Sequence, residues 1–168
     1  MISQETVGNE EIIARILHRE WVVDGELQLT AFALADGETY LSVNRLSIDS
    51  FADDVHDFVS KHPDYKSEDD SDTYQQALLQ VADVREISVA FKEKVANLTV
   101  EVEPRDAHYK SHAGIFTRIE DKNIKGGQQA EVTVGEEQVI SYEDIRQKVY
   151  LNLLQLSELQ RLQIPSAK

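Results

Sequence analysis

Apolar residues recur along this chain in two periods, and the change from one to the other marks out its elements. Residues 12–23 are rich in β-branched side chains and run straight into Asp24-Gly25. An Asp-Gly pair between apolar runs predicts a two-residue hairpin, because both central positions of a type I′ turn need positive φ. A second pair, Asp36-Gly37, follows twelve residues later. Two such turns would pair Val22 with Leu27 and Phe32 with Leu41, giving an N-terminal three-stranded meander that ends in Leu41-Ser42-Val43. The Ala, Leu, Glu and Gln of residues 26–34 also suit a short helix; the meander is the preferred reading.

From Ser47 the period lengthens. Ile48, Phe51, Val55, Phe58 and Val59 share one face of a helix over residues 49–61, with Asp49, Asp53, Asp54 and Asp57 on the remaining surface. Acidic residues early in a helix complement its positive end. The helix should stop near Lys61, because His62 precedes Pro63 and is biased out of the α region. Residues 64–72 are polar and acidic and read as an exposed loop.

Residues 74–84 fit strand and helix equally. Residues 87–91 and 98–102 read as strands with a turn over 92–97; Pro104 ends the second. A strand over 113–119, a turn at Gly126-Gly127 and a strand over 130–134 follow. Ser141 with Asp144 is a variant N-terminal cap. Ile145, Val149, Leu153, Leu156 and Leu159 then predict a helix over 142–162, about 30 Å long at roughly 1.5 Å per residue. That leucine-rich stripe would pack on a sheet or serve as the seam of a homodimer. Together these elements make a single α+β domain over residues 1–168: an antiparallel or mixed sheet carrying helices at 49–61 and 142–162.

Composition narrows the function. Seventeen Lys and Arg face thirty-one Asp and Glu, a net charge of −14. No local basic patch offsets that field, so neither nucleic acid nor an anionic membrane is the expected partner, and a basic protein surface is. With no Cys there is no disulfide framework, thiolate metal site or cysteine nucleophile. Residues 1–11 lack a basic segment followed by an apolar run, and no stretch approaches the roughly 20 apolar residues of a membrane span. Cytoplasmic residence is the expectation.

The chemistry-bearing residues are few. His108 and His112 lie four apart, a metal spacing on a helix, but Pro104 and Gly114 place them in loop and strand, where it loses its meaning. Residues 68–72 are acidic without the alternation and glycine of a calcium loop. Gly126-Gly127 lacks the phosphate-binding frame. No metal or cofactor is therefore expected. Ser42 with His112 is the candidate nucleophile and base. Trp21, the single Trp, is a core anchor or a stacking surface for a ligand. Arg19, Arg45 and Arg105 are candidate anion clamps, unless each pairs with one of the many carboxylates.

The order Trp21-Val22-Val23-Asp24-Gly25, Ala31-Phe32, Leu41-Ser42-Val43 and His112-Ala113-Gly114-Ile115 resembles a widespread group of uncharacterised bacterial proteins. The resemblance covers roughly residues 12–120 and departs at the acidic segment 64–72 and after Ile119. It brings no activity with it, and it directs attention to Arg19, Ser42 and His112. The resulting expectation is a non-catalytic cytoplasmic binding or interaction module. The alternative is a small hydrolase-like enzyme using His112, Ser42 and an arginine that holds an anion.

Overall fold

The computed structural model describes residues 6–91, 95, 98–105, 108–134 and 138–165. The chain opens with β1 (Ile12–Ile16), a 3₁₀ turn (Arg19–Trp21), and the short hairpin β2 (Val22–Val23) and β3 (Glu26–Leu27). A second 3₁₀ turn (Leu29–Phe32) leads to β4 (Leu41–Arg45), α1 (Phe51–Lys61) and β5 (Thr73–Gln80). Then come α2 (Val81–Arg85), a 3₁₀ segment (Glu86–Phe91), β6 (Leu98–Pro104), β7 (His112–Ile119) and β8 (Lys122–Asn123). The hairpin β9 (Glu131–Val134) and β10 (Gln138–Ser141), the helix α3 (Tyr142–Leu156) and β11 (Glu158–Gln163) complete it. The main sheet runs β11-β5-β1-β4-β7-β6, with β8 folded back on β7. Every pairing between its strands is antiparallel, so the architecture is α+β.

The first Asp-Gly turn forms as expected: Val22 pairs with Leu27, and Asp24 and Gly25 have φ of 52° and 79°. The meander does not continue. Ala31 and Phe32 are fully enclosed in the core, and the 3₁₀ turn that drops them there replaces a third meander strand. Asp36-Gly37 does not return the chain on itself. Gly37 donates its N–H to the Gly126 carbonyl at 2.8 Å, and Gly126 donates to the Glu38 carbonyl at 2.9 Å. A Cβ on Gly126 would fall 2.1 Å from the Ala35 carbonyl oxygen, so this close approach of two loops requires glycine. β4 instead pairs with β1 and β7.

Three other segments depart from the sequence pattern. Residues 74–84 are strand and helix in turn, changing at Gln80. The strand expected over 87–91 is helical: Val81, Val84 and Ile87 are buried at a spacing of three, which carries helical winding past the end of α2. The turn expected over 92–97 lies mostly outside the described residues. The expected helix over 142–162 stops at Leu156, and the chain continues as the edge strand β11, bonded along β5 from Glu158↔Leu78 to Gln163↔Thr73. Leucines three apart sit on one helix face, but on a strand they point to opposite faces. Leu159 packs into the core on one side of the sheet and Leu162 into the core on the other.

Two cores result. The larger lies between one sheet face and α2, α3 and the 3₁₀ turns, and buries Ile13, Val43, Leu79, Val100, Ile115 and Phe32. From α3 it takes Ile145, Val149 and Leu153, each stabilising by about 1.5–3 kcal/mol. These three residues of the expected stripe are thus used within the chain, whereas Leu156, expected beside them, is exposed. Ser141 caps the helix, its Oγ accepting from the Asp144 N–H at 3.1 Å. The smaller core lies under α1, where Val55 and Val59 meet Ala14, Ile16 and Tyr74. α1 packs chiefly over the β1, β5 and β11 side of this second face and reaches β4 at its edge. The half of that face over β7 and β6 lies beyond it. Side chains roof that half instead. None of the helices is long and apolar enough to cross a membrane.

Candidate functional site

The half-face beside α1 collects much of the polar chemistry that the sequence singles out. β4 and β7 run side by side with Ser42 opposite Gly114 and Asn44 opposite His112. By the alternation of a strand, Ser42, Asn44, His112, Gly114, Phe116 and Arg118 share this face. Ser42 and His112 meet diagonally, with 3.2 Å between Oγ and Nε2. Together with Ile16, Asn44, Phe58, His108 and Tyr109 they line a cleft of about 240 Å³ between α1 and the strands. Its walls are chiefly apolar and its polar groups converge from one side, the usual character of a small-molecule site.

The loop before β7 is tied to α1. Asp54 Oδ2 accepts from the Ser111 N–H at 3.0 Å and from Ser111 Oγ at 2.7 Å, and Asn44 Nδ2 donates to that hydroxyl at 2.9 Å. One turn further along α1, Asp57 accepts from the Tyr109 hydroxyl at 2.7 Å and from Lys61 at 3.0 Å. Burial and the bond to Asp57 push the Tyr109 phenol up to about 12, so it is protonated and a donor at neutral pH. The tyrosine and lysine bonds hold Asp57 below the usual carboxylate range. Asp54 and Asp57 read in the sequence as part of a solvated helix face. Their spacing of three is met by Tyr109 and Ser111, two apart in the turn that precedes β7, which the His112 N–H closes on the Tyr109 carbonyl at 3.1 Å.

His112 is half-buried. Burial and the nearby positive Arg105 push its imidazole below its ordinary value, so it is neutral at pH 7. Its Nδ1 is enclosed and bonds to nothing among the described residues. A neutral ring that avoids an enclosed, unpaired N–H carries its proton on Nε2 and donates it to Ser42 Oγ. In that form Nε2 cannot take the serine proton. A serine–histidine pair built for catalysis has its second ring nitrogen oriented by a carboxylate; this one has no such partner among the described residues.

The arginines separate. Arg45 is buried and grips Glu11 with two bonds of 2.8 Å, so it is a structural ion pair. Arg19 donates to the carbonyls of Pro63 and Asp64 and lies away from Ser42 and His112. Neither enters the cleft. Trp21 is half-buried against the larger core, with the Arg15 guanidinium 4.8 Å from its ring centre, and is an anchor in the wall. Arg15 also donates to the Ser42 carbonyl at 2.9 Å, fixing the strand under the cleft.

Arg105 differs from both. Its backbone N–H donates to the His112 carbonyl at 3.1 Å, and its guanidinium lies 4.7 Å from the Tyr40 ring centre and 5.4 Å from that of Phe116. Tyr40 in turn lies over Gly114, where a Cβ would come within 2.6 Å of the ring, and 5.9 Å from the His112 ring. Gly114 is therefore what lets an aromatic shelf form on a strand. Tyr40 carried no signal in the sequence, because its role depends on a strand 74 residues later. No protein-family model matches this chain, and none of the curated proteins or solved structures compared with it does either.

Proposed function

We propose that the protein is a cytoplasmic, non-catalytic binding module that takes a small organic ligand on the half-face between α1 and the β4–β7 strands. One observation carries this reading: a largely apolar cleft on which Ser42, Asn44 and His112 converge, with no carboxylate among the described residues to orient the second nitrogen of the histidine. The test is equilibrium dialysis against a small-molecule extract, read by mass spectrometry. Ser42→Trp places a bulky ring at an exposed position of the cleft wall. We expect the wild type to retain a defined set of compounds and Ser42→Trp, at an unchanged melting temperature, to lose them. Equal retention by both proteins, or none by the wild type, would sink the proposal.

The 3.2 Å contact of Ser42 and His112 also favours a second reading, a small hydrolase-like enzyme with Ser42 as nucleophile. A fluorophosphonate probe separates the two. Labelling of Ser42 that disappears in His112→Gln would replace the binding reading with the enzymatic one; an unlabelled Ser42 is the result we expect.

A further inference from the structure

Three arginines surround β6, and two of them are neutralised. Arg85 pairs with Glu101, and Arg118 grips Glu103 with bonds of 2.6 and 2.8 Å. Arg105, just past the end of the strand, makes no side-chain hydrogen bond or ion pair among the described residues, and its Nε is enclosed without a partner. In a chain with net charge −14 a guanidinium without a carboxylate is conspicuous, because acceptors are abundant and an enclosed, unbonded N–H is costly. Nor is this arginine loosely placed. Tyr40 and Phe116 stack against it, and a stacked guanidinium has lost much of the freedom that binding would otherwise remove.

We propose that Arg105 is the anion anchor of the ligand site, and that the ligand is a small monocarboxylate whose apolar body lies in the adjoining cleft. The inference rests on the cleft being a binding site. The planar fork matches a carboxylate, and the shelf joins the cleft across His112, which touches Tyr40 on one side and lines the cleft on the other. A dianion such as a phosphate fits less well. Glu103 lies within the field of Arg105, His112 supplies no second positive charge at neutral pH, and the whole chain repels anions.

The probes are 4-phenylbutyrate, its primary amide and 3-phenylpropyl phosphate, titrated against the whole chain by calorimetry. The expected result is a carboxylate bound at least about tenfold more tightly than the amide. That advantage disappears in Arg105→Gln and shrinks in Arg105→Lys, which keeps the charge but not the fork. The lysine variant, with melting temperatures for all, keeps the test open if Arg105→Gln folds poorly. Equal affinity for carboxylate and amide, with Ser42→Trp abolishing both, would overturn the anchor and leave the cleft standing. Tighter binding of the phosphate would overturn the choice of a monocarboxylate. Failure of every probe to bind, or binding that Ser42→Trp does not alter, would overturn both readings.

Discussion

Arg45 and Arg105 occupy two regions of one sheet and meet opposite fates. Arg45 ends β4 in a closed corner: Glu11 takes two of its N–H groups, and Ser47 and the Gly8 N–H satisfy the rest of that carboxylate. Arg105 follows β6 on an open shelf, stacked on aromatic rings with no carboxylate opposite it among the described residues. Both are arginines in an acidic chain, and both are equal candidates by composition. What separates them is whether the fold brings its own anion to the guanidinium. Where it does, the charge holds the structure together. Where it brings none among the described residues, as at Arg105, the guanidinium is the anion anchor we propose.

The largest consequence is in stability. Arg45→Met leaves Glu11 buried beside two donors but without its counter-charge, and removing one partner of a buried pair costs about 3–5 kcal/mol. Arg105→Met removes a stacked, half-buried group that pairs with no carboxylate among the described residues, and should cost less than about 1 kcal/mol. Urea unfolding of the two variants under one condition measures the contrast. Comparable losses would erase the distinction between corner and shelf.

Acid should attack the corner. The Arg45 bond, helped by Gly8 and Ser47, pulls the Glu11 carboxyl from 4.5 down to about 2. A carboxyl lowered in the folded state contributes stability that is complete above its unfolded value. That contribution is lost as pH falls from about 4.5 towards about 2. The shift corresponds to roughly 3 kcal/mol. Other carboxylates titrate in the same window, so the measurement is the gap between wild type and Arg45→Met, which should narrow by about that amount between pH 5 and pH 2. A gap independent of pH would mean that Glu11 is not held by Arg45.

How the cleft keeps its shape is a smaller question of the same kind. Asp54 of α1 accepts three bonds, from Ser50 Oγ and from the N–H and Oγ of the fully buried Ser111. Asp54→Ala strands the two Ser111 donors, a loss of about 1–3 kcal/mol by thermal or urea unfolding. If the cost falls below about half a kcal/mol, the tie between α1 and the loop does not organise the cleft.

These two regions also show how much of the molecule is legible in the sequence. Elements with one periodicity and a clear stop were legible: α1 ending before His62-Pro63, the Asp24-Gly25 hairpin, the alternating β6, and the capped start of α3. Misreadings arose where one spacing serves two geometries. Leu159 and Leu162 continue a helix stripe on paper, yet on β11 they face two different cores. Asp36-Gly37 has the composition of a hairpin turn and instead docks on Gly126. At the site, Ser42, His112 and Arg105 were visible as residue types, but Tyr40 and the Asp54–Ser111 tie depend on pairings across the sheet. Arg45 and Arg19 could not be told from Arg105, because a guanidinium's partner is a property of the tertiary fold.

The smallest effect probes the wall between shelf and cleft. His112 is half-buried, makes one side-chain bond and stays neutral because burial and Arg105 both oppose its charging. An imidazole whose value falls below the ordinary 6.5 on folding binds its proton more readily in the unfolded chain. Stability on its account is therefore unaffected well above that value and decreases as pH falls through and below it. His112→Gln keeps a side chain able to donate to Ser42 and removes the titration. At pH 8 the variant should unfold within about 1 kcal/mol of the wild type; between pH 7 and pH 5 the wild type should lose more stability than the variant does. If the two curves stay parallel over that range, neither burial nor Arg105 opposes the charging of His112, and the electrical link between shelf and cleft through this ring is lost.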